Sequence, residues 1–262
     1  MPHCCICRHD IDQWLPHPHR DRFSEFFHLV ETIGSDLAVY QCPQCGCTDR
    51  DRHLWLFLHA AGVLNAIAGA RVLHLAPEAH LERLIEALAP ARYLRGDLHP
   101  LRAGHSKLDA EQLPFADGEF DLIVCNHVLE HVADPQRALG EFHRCLVAGG
   151  LLIAQTPYSA RLKATFELDG PVSPEFAHLF YGQHDHVRLF GNDIERCFHA
   201  AGFDGRLLKH ESLLPGVDAR DSGCNPHEPL FAFWKPAQQA DRPAAASASS
   251  AQRVSEDVAV NP

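Results

Sequence analysis

Short apolar runs recur along the chain at RVLHLA (71–76), FDLIVC (120–125), LLIAQT (151–156) and LFAFW (230–234), with charged or turn-forming residues between them. Runs rich in branched side chains, without strict alternation, are the pattern of strands buried on both faces of a parallel sheet, which helices must cover. The intervening stretches supply those helices. Thr48 to Ala70 places Leu54, Trp55, Leu58, Ala61, Leu64 and Ile67 at helical spacing, and Thr48 and Asp51 stand at capping-box spacing. A second helix is expected from about Ala79 to Leu88, and another from Asn192 to Gly202. Asp134 followed by Pro135 is a helix start, because the Asp side chain accepts from orphan backbone donors and Pro fits the first helical position. Gly149 and Gly150 are expected to end that helix and Leu151 to Thr156 to form the next strand, so 120–156 predicts a β-α-β unit. Ala91 to Arg95 is expected as the second strand and Phe203 to Glu211 as the sixth.

In such sheets ligands sit beyond the carboxyl ends of the strands. Those ends carry Asp97 and Leu98 after the second strand, Asn126 and His127 after FDLIVC, and Thr156 and Tyr158 after LLIAQT. A carboxylate at the position of Asp97 accepts hydrogen bonds from both ribose hydroxyls in the dinucleotide-binding variant of this architecture; its structural alternative is an ordinary turn-forming Asp.

The segments DAEQLPF, FDLIVCNHVLEHV and GGLLIAQTP, in that order and spacing, resemble the second half of a class I S-adenosylmethionine-dependent methyltransferase of the broad small-molecule (type 11-like) group. The resemblance implies a doubly wound α/β, mostly parallel seven-stranded Rossmann-like sheet and S-adenosylmethionine as cofactor. It implies that Asp109 contacts the adenine amino group, that Ala110 supplies backbone beside the ring, and that Asn126 and His127 lie near the methionine end. The first loop departs from the family: the usual acidic residue and glycine-rich turn are replaced by His74, Ala76, Pro77 and Glu78. Glycines let a backbone approach a ligand closely. This VLHLAPE loop resembles a variant binding loop of a subgroup with an N-terminal cysteine knuckle, and CPQCGCTDRDRHLW resembles a segment of the same subgroup.

Cys4, Cys7, Cys42 and Cys45 form two CxxC pairs, and two such knuckles give a tetrahedral thiolate site for a structural Zn2+. Such an ion supplies on the order of 10 kcal/mol to a small lobe with little core of its own. Cys5 and Cys47 are extra thiols, either of which could replace a member of the pairs, although the spacing favours the CxxC set. The expected organisation is a zinc-ribbon-like lobe at 1–47, a linking helix at 48–70, a methyltransferase domain at 71–235 with an acceptor-side insertion at 157–190, and a disordered tail at 236–262, rich in Pro, Ala and Ser. Arg50 and Arg52 fall on the polar side of the linking helix, where a solvated face is the plain alternative.

Methyl transfer from a sulfonium is an in-line displacement, so positioning dominates and a base is needed only when the acceptor must lose a proton. His186, with Asp185 as its orienting partner, is the leading base, and His127 and His131 are further imidazoles. The segment QHDHVR resembles a D/E-H-x-R signature on the acceptor side, which makes His184, Arg188 and Tyr158 candidates for substrate contact. A formal charge of −11 argues against general coating of nucleic acid or anionic membranes. No apolar stretch has transmembrane length and the first residues lack a signal-peptide pattern, so the cytoplasm is the expected compartment. The expected function is methyl transfer to a small or medium-sized metabolite. The competing functions are a zinc-ribbon binding protein on a non-catalytic scaffold and, last, an NAD-dependent oxidoreductase, which lacks its GxGxxG.

Overall fold

The computed structural model describes residues 1–20 and 24–237. Its sheet contains β1 (Arg71–Leu75), β2 (Arg92–Asp97), β3 (Ser106–Lys107), β4 (Phe120–Cys125), β5 (Leu146–Ile153), β6 (Asp204–Leu208) and β7 (Leu230–Trp234). Across the sheet the order is β6-β7-β5-β4-β1-β2-β3. Strands β1 to β5 pair in parallel, while β7 runs antiparallel to both β5 and β6. The order reverses between β1 and β4, and this switch point opens the crevice where ligands of open α/β sheets bind.

Alternate residues of the central strands enter opposite layers, as a period of two requires. Leu73, Leu75, Ile123 and Cys125 pack on one face with Leu139 and Phe142 of the helix Pro135–Cys145 and Phe198 of the helix Ile194–Ala200. Val72, Leu122 and Val124 pack on the other with Leu54, Phe57 and Leu58 of the helix Asp49–Ala60 and Leu81 and Ile85 of the helix Ala79–Glu86. The fold is therefore the doubly wound, mostly parallel sheet that the apolar pattern predicts.

Four boundaries differ from expectation, each for a local reason. The linking helix stops at Ala60, and Gly62 at φ +73° separates it from a second helix, Val63–Ile67. The helix begun at Asp134 ends at Cys145, and the chain enters β5 at once through Leu146 with extended dihedrals. Gly149 and Gly150 thus lie inside β5, where the register with β4 shifts and Gly149 adopts φ +78°. A glycine pair marks a strand irregularity as readily as a helix end. The sixth strand ends at Leu208, and His210–Leu213 turns into a short helix. The two-residue β3 had no apolar run to announce it.

The segment between the two cysteine pairs divides its allegiance. The strands His3–Cys4 and His9–Asp10 pair beside the cysteines, whereas the helix Glu25–Leu29 and the strand Thr32–Ile33 reach the 157–190 insertion. Thr32–Ile33 pairs with Tyr158–Ser159, and Phe27 and Val30 share an apolar cluster with Ala177, Tyr181 and Leu189. Apart from residues 236 and 237, the tail expected to be disordered lies outside the described residues.

Candidate cofactor cleft and cysteine centre

At the end of β1 the chain turns through Ala76 with φ +47°, and the Ala76 N–H donates to the Gly96 carbonyl at 2.8 Å. The turn that glycine normally supplies is therefore made here by an L-residue held in the left-handed region, a conformation that surrounding structure must over-determine. Glu78 opens the next helix and links the crevice walls: Oε1 accepts from Asn126 Nδ2 at 3.1 Å and Oε2 lies 2.9 Å from Nε2 of the buried His74. Burial alone would raise the Glu78 pKa, but the hydrogen bond and charge of His74 outweigh it and hold the carboxyl below its usual range. Tyr93 Oη lies 2.8 Å from His74 Nδ1, so His74 is a buried positioning group behind the loop. The Pro77 carbonyl accepts from Arg102. Asn126 completes the brace by accepting from the Gln155 N–H at 3.0 Å.

Asp97 is half-buried at the end of β2, and its Oδ1 accepts from the His99 N–H at 2.7 Å. Asp109 is exposed and its Oδ1 accepts from the Glu111 N–H at 2.9 Å. Each uses one oxygen to fix its own turn and keeps the other uncommitted. Ala110 is buried behind Asp109, while Leu98 is 50% exposed. Gly96 matters through space, because a Cβ there would stand 2.2 Å from Leu108 Cδ1. These residues lie at the carboxyl ends of β2 and β3, the same edge of the parallel sheet as the switch point between β1 and β4.

After β4, His127 adopts φ +54°, and its Nδ1 lies 3.4 Å from Oε1 of the buried Glu130. Thr156 Oγ1 donates to Glu130 Oε2 at 2.9 Å. Burial opposes the charge of Glu130, yet His127 and then His186 prevail and lower its pKa to about 2. His186 is buried, and burial lowers its pKa, so its ring is neutral near pH 7. Its Nδ1 therefore donates to the Tyr181 carbonyl at 2.7 Å.

Two expectations change here. Asp185 does not orient His186; its Oδ2 lies 3.4 Å from His131 Nδ1, and its Oδ1 stands 4.0 Å from the exposed His184. Arg188 is buried, with all five donor N–H groups used: two bonds of 2.8 Å reach Glu167, and three others reach the Leu129, Val132 and Ala133 carbonyls. It clamps the insertion to the loop after β4 and has no donor left for an acceptor. Tyr158 packs edge-on against Phe231 and lines a cavity of about 350 Å³ with Asn192, Leu207 and His210. None of the cofactor-side residues lines that cavity.

The cysteines of both pairs come together, with one change of membership in the tightest group. Cys4 and Cys45 sulfurs are 3.9 Å apart, Cys7 and Cys42 are 3.9 Å apart, and Cys4 and Cys47 are 3.5 Å apart. Cys4, Cys42, Cys45 and Cys47 form a group with all sulfurs within 4.8 Å, in which Cys47 stands where Cys7 was expected, while Cys7 touches only the edge of the group through Cys42. Hydrogen bonding from Cys47 holds the Cys4 thiol down to about 4. A tetrahedral site with Zn–S bonds near 2.3 Å has sulfur–sulfur edges of roughly 3.8 Å, so the donor chemistry fits zinc. Arg52, expected on a polar helix face, is instead fully buried; it donates to the Cys47, Val39 and Gly223 carbonyls and stacks 3.9 Å from the Trp14 ring centre. Arg50, by contrast, is half-buried and makes no hydrogen bond among the described residues, held by the nearby charges of Asp49, Glu228 and Glu130.

A family model described as "Methyltransferase domain" matches residues 68–154. The ubiquinone/menaquinone biosynthesis C-methyltransferase UbiE of Dinoroseobacter shibae is 30% identical over 192 residues, covering 64% of this chain and 76% of the relative. The chain belongs to the class I S-adenosylmethionine-dependent methyltransferases. A UbiE of Ruegeria sp. is 29% identical over 44% of this chain and 50% of its own length, so the chain spans only about half of some relatives it matches. A solved S-adenosylmethionine-dependent methyltransferase from Mesorhizobium loti covers 66% of this chain and 96% of its own, at 17% identity and a TM-score of 0.47. Glu130, which sequence reasoning left aside, joins His127 and His186; its signal was the Glu-His pair directly after the fourth strand.

Proposed function

We propose that this methyltransferase transfers the methyl group of S-adenosylmethionine to a small or medium-sized metabolite. Asp97, with Leu98 beside it, takes the ribose; Asp109 and Ala110 take the adenine; Ala76, Pro77, Glu78, Asn126 and His127 border the methionine end. The observation that carries this assignment is the pair of carboxylates after the adjacent strands β2 and β3, on the β1 side of the switch point, each with one oxygen that makes no hydrogen bond among the described residues. The left-handed turn at Ala76 supports it, because the loop keeps the tight turn without the family's glycines. S-adenosylmethionine, when bound, supplies the electrophilic methyl; the chain's part is to hold donor and acceptor in line, worth roughly 7 to 11 kcal/mol of barrier. The acceptor then faces the imidazoles of His127 and His186.

Calorimetric titration with S-adenosylhomocysteine tests the assignment. Loss of a charge-assisted hydrogen bond costs about 1.5 to 3 kcal/mol, so Asp97→Ala and Asp109→Ala should each weaken binding by roughly ten- to a hundredfold. Wild-type affinity in both variants would place the nucleoside elsewhere. In the same proposal Cys4, Cys7, Cys42 and Cys45 hold a structural zinc, supported by the two 3.9 Å sulfur pairs, with Cys47 packed against them under Arg52.

A further inference from the structure

Glu130, His131 and His186 bring one carboxylate oxygen and two imidazole nitrogens within 4.8 Å of one another, apart from the cysteine centre and from the nucleoside-side carboxylates. His186 is the telling member. It is only 3% exposed, its Nδ1–H is committed to the Tyr181 carbonyl, and its Nε2 is buried with no hydrogen-bond partner among the described residues. With the proton on Nδ1, Nε2 carries a lone pair that no described residue uses. Metal-ligating histidines characteristically donate their other ring N–H to a backbone carbonyl or a carboxylate, which fixes tautomer and ring orientation. His186 does so with the Tyr181 carbonyl, and His131 has a carboxylate nearby, its Nδ1 standing at ion-pair distance, 3.4 Å, from Asp185 Oδ2. The two rings are perpendicular at 4.6 Å.

The third donor is equally prepared. Glu130 is 2% exposed, and Thr156 Oγ1 donates to one of its oxygens, as ligating carboxylates are usually braced. The Val187 N–H donates to the Glu130 carbonyl at 3.0 Å, and Arg188 clamps the same loop, so the elements carrying the three side chains are tied together without any ion. Two imidazoles and one carboxylate form the donor set that takes first-row divalent cations with coordination positions left open. We propose that Glu130, His131 and His186 bind such a cation beyond the carboxyl ends of β4 and β5.

The site is testable without an activity assay, on the full chain with its cysteine-bound metal retained. Mn2+ titration followed by the electron paramagnetic resonance of the free ion, with Co2+ absorption as a second probe, should reveal a site additional to the metal already present. His131→Ala and Glu130→Gln should each weaken Mn2+ binding roughly tenfold or more, while elemental analysis shows unchanged zinc and S-adenosylhomocysteine still binds. His184→Ala, at an exposed neighbour outside the donor set, should bind as wild type. His186→Ala should behave like His131→Ala; should it fail to fold, the half-exposed His131 decides the matter. No saturable Mn2+ or Co2+ binding to the wild type, or undiminished binding in His131→Ala and Glu130→Gln, overturns the proposal.

Discussion

Glu82 is the perturbation that most directly probes how the ribose-side loop is held. It lies on the helix after β1 with its side chain 12% exposed, and it receives Arg95 at 3.0 Å, Arg102 at 2.7 Å and His105 at 3.1 Å. Arg102 and His105 belong to the loop that follows Asp97, and Arg102 also donates to the Pro77 carbonyl, so one carboxylate ties the second loop to the first. Glu82→Gln keeps the shape and removes the charge. Each charge-assisted bond is worth about 1.5 to 3 kcal/mol, but Arg102 is 43% exposed and recovers much of its solvation, so a net loss of about 2 to 3 kcal/mol is expected. For a domain of this size that lowers Tm by roughly 5 to 10 °C. The sign with pH follows from the shift. Burial would raise the Glu82 pKa, yet the His105 hydrogen bond and the Arg102 charge outweigh it and hold it below 4.5. The stabilisation is therefore present above about pH 4.5 and lost as pH falls through the lowered folded value. Urea melts of both proteins at pH 7.5, 6, 5 and 4 should show a gap that is constant down to pH 5 and then narrows; comparison at equal pH cancels protonation of the cysteine centre. Calorimetry at pH 7.5 should show weaker S-adenosylhomocysteine binding. A gap that is absent, or that stays constant to pH 4, would refute the reasoning.

Further outcomes follow from the buried contacts. Arg188→Ala leaves three carbonyls and a Glu167 carboxylate without their partner and should cost about 3 kcal/mol of stability, read by urea unfolding; a raised acceptor Michaelis constant at unchanged stability would restore the role in acceptor binding. Cys7→Ser should lose zinc by elemental analysis while Cys47→Ser retains it, and the reverse pattern would make Cys47 the fourth ligand. Arg52→Met should lower Tm sharply through the Gly223 and Cys47 carbonyls it orphans, and an unchanged melt would show that water replaces the guanidinium.

What the sequence discloses about this fold is what period and topology dictate. The apolar runs at 71–76 and 120–125 could only be buried parallel strands, and Asp97 follows from where the second strand ends. The failures share a different cause. Gly149 and Gly150 permit either a helix stop or a strand irregularity, and the choice depends on Lys235, whose N–H donates to the Gly150 carbonyl across the sheet. Arg52 looks like any charge on a helix until Gly223 arrives from the other end of the chain, and Arg188 looks like an acceptor ligand until Glu167 and three carbonyls consume its donors. Asp185 and His186 are adjacent in sequence yet turn to different partners, His131 and the Tyr181 carbonyl.

The same distinction bears on the chemistry. The groups proposed to border the methionine end owe their position to backbone geometry: Ala76 and His127 both hold left-handed dihedrals, and their N–H groups are pinned to the Gly96 and Gln155 carbonyls. Such strain persists only where neighbouring structure over-determines it. The acceptor side is instead assembled from side chains of the loop after β4, the end of β5 and the insertion, with the segment 25–33 packed on its outer surface. Its geometry therefore depends on the fold of the N-terminal segment. That segment also carries the cysteine centre, whose backbone is pinned to the sheet through Arg52 and through His80, which lies 2.9 Å from the Cys45 carbonyl. A loss of the thiolate site should accordingly disturb the acceptor side before the nucleoside side, since Asp97 and Asp109 are fixed by turns within 92–112 that make no use of residues 1–47.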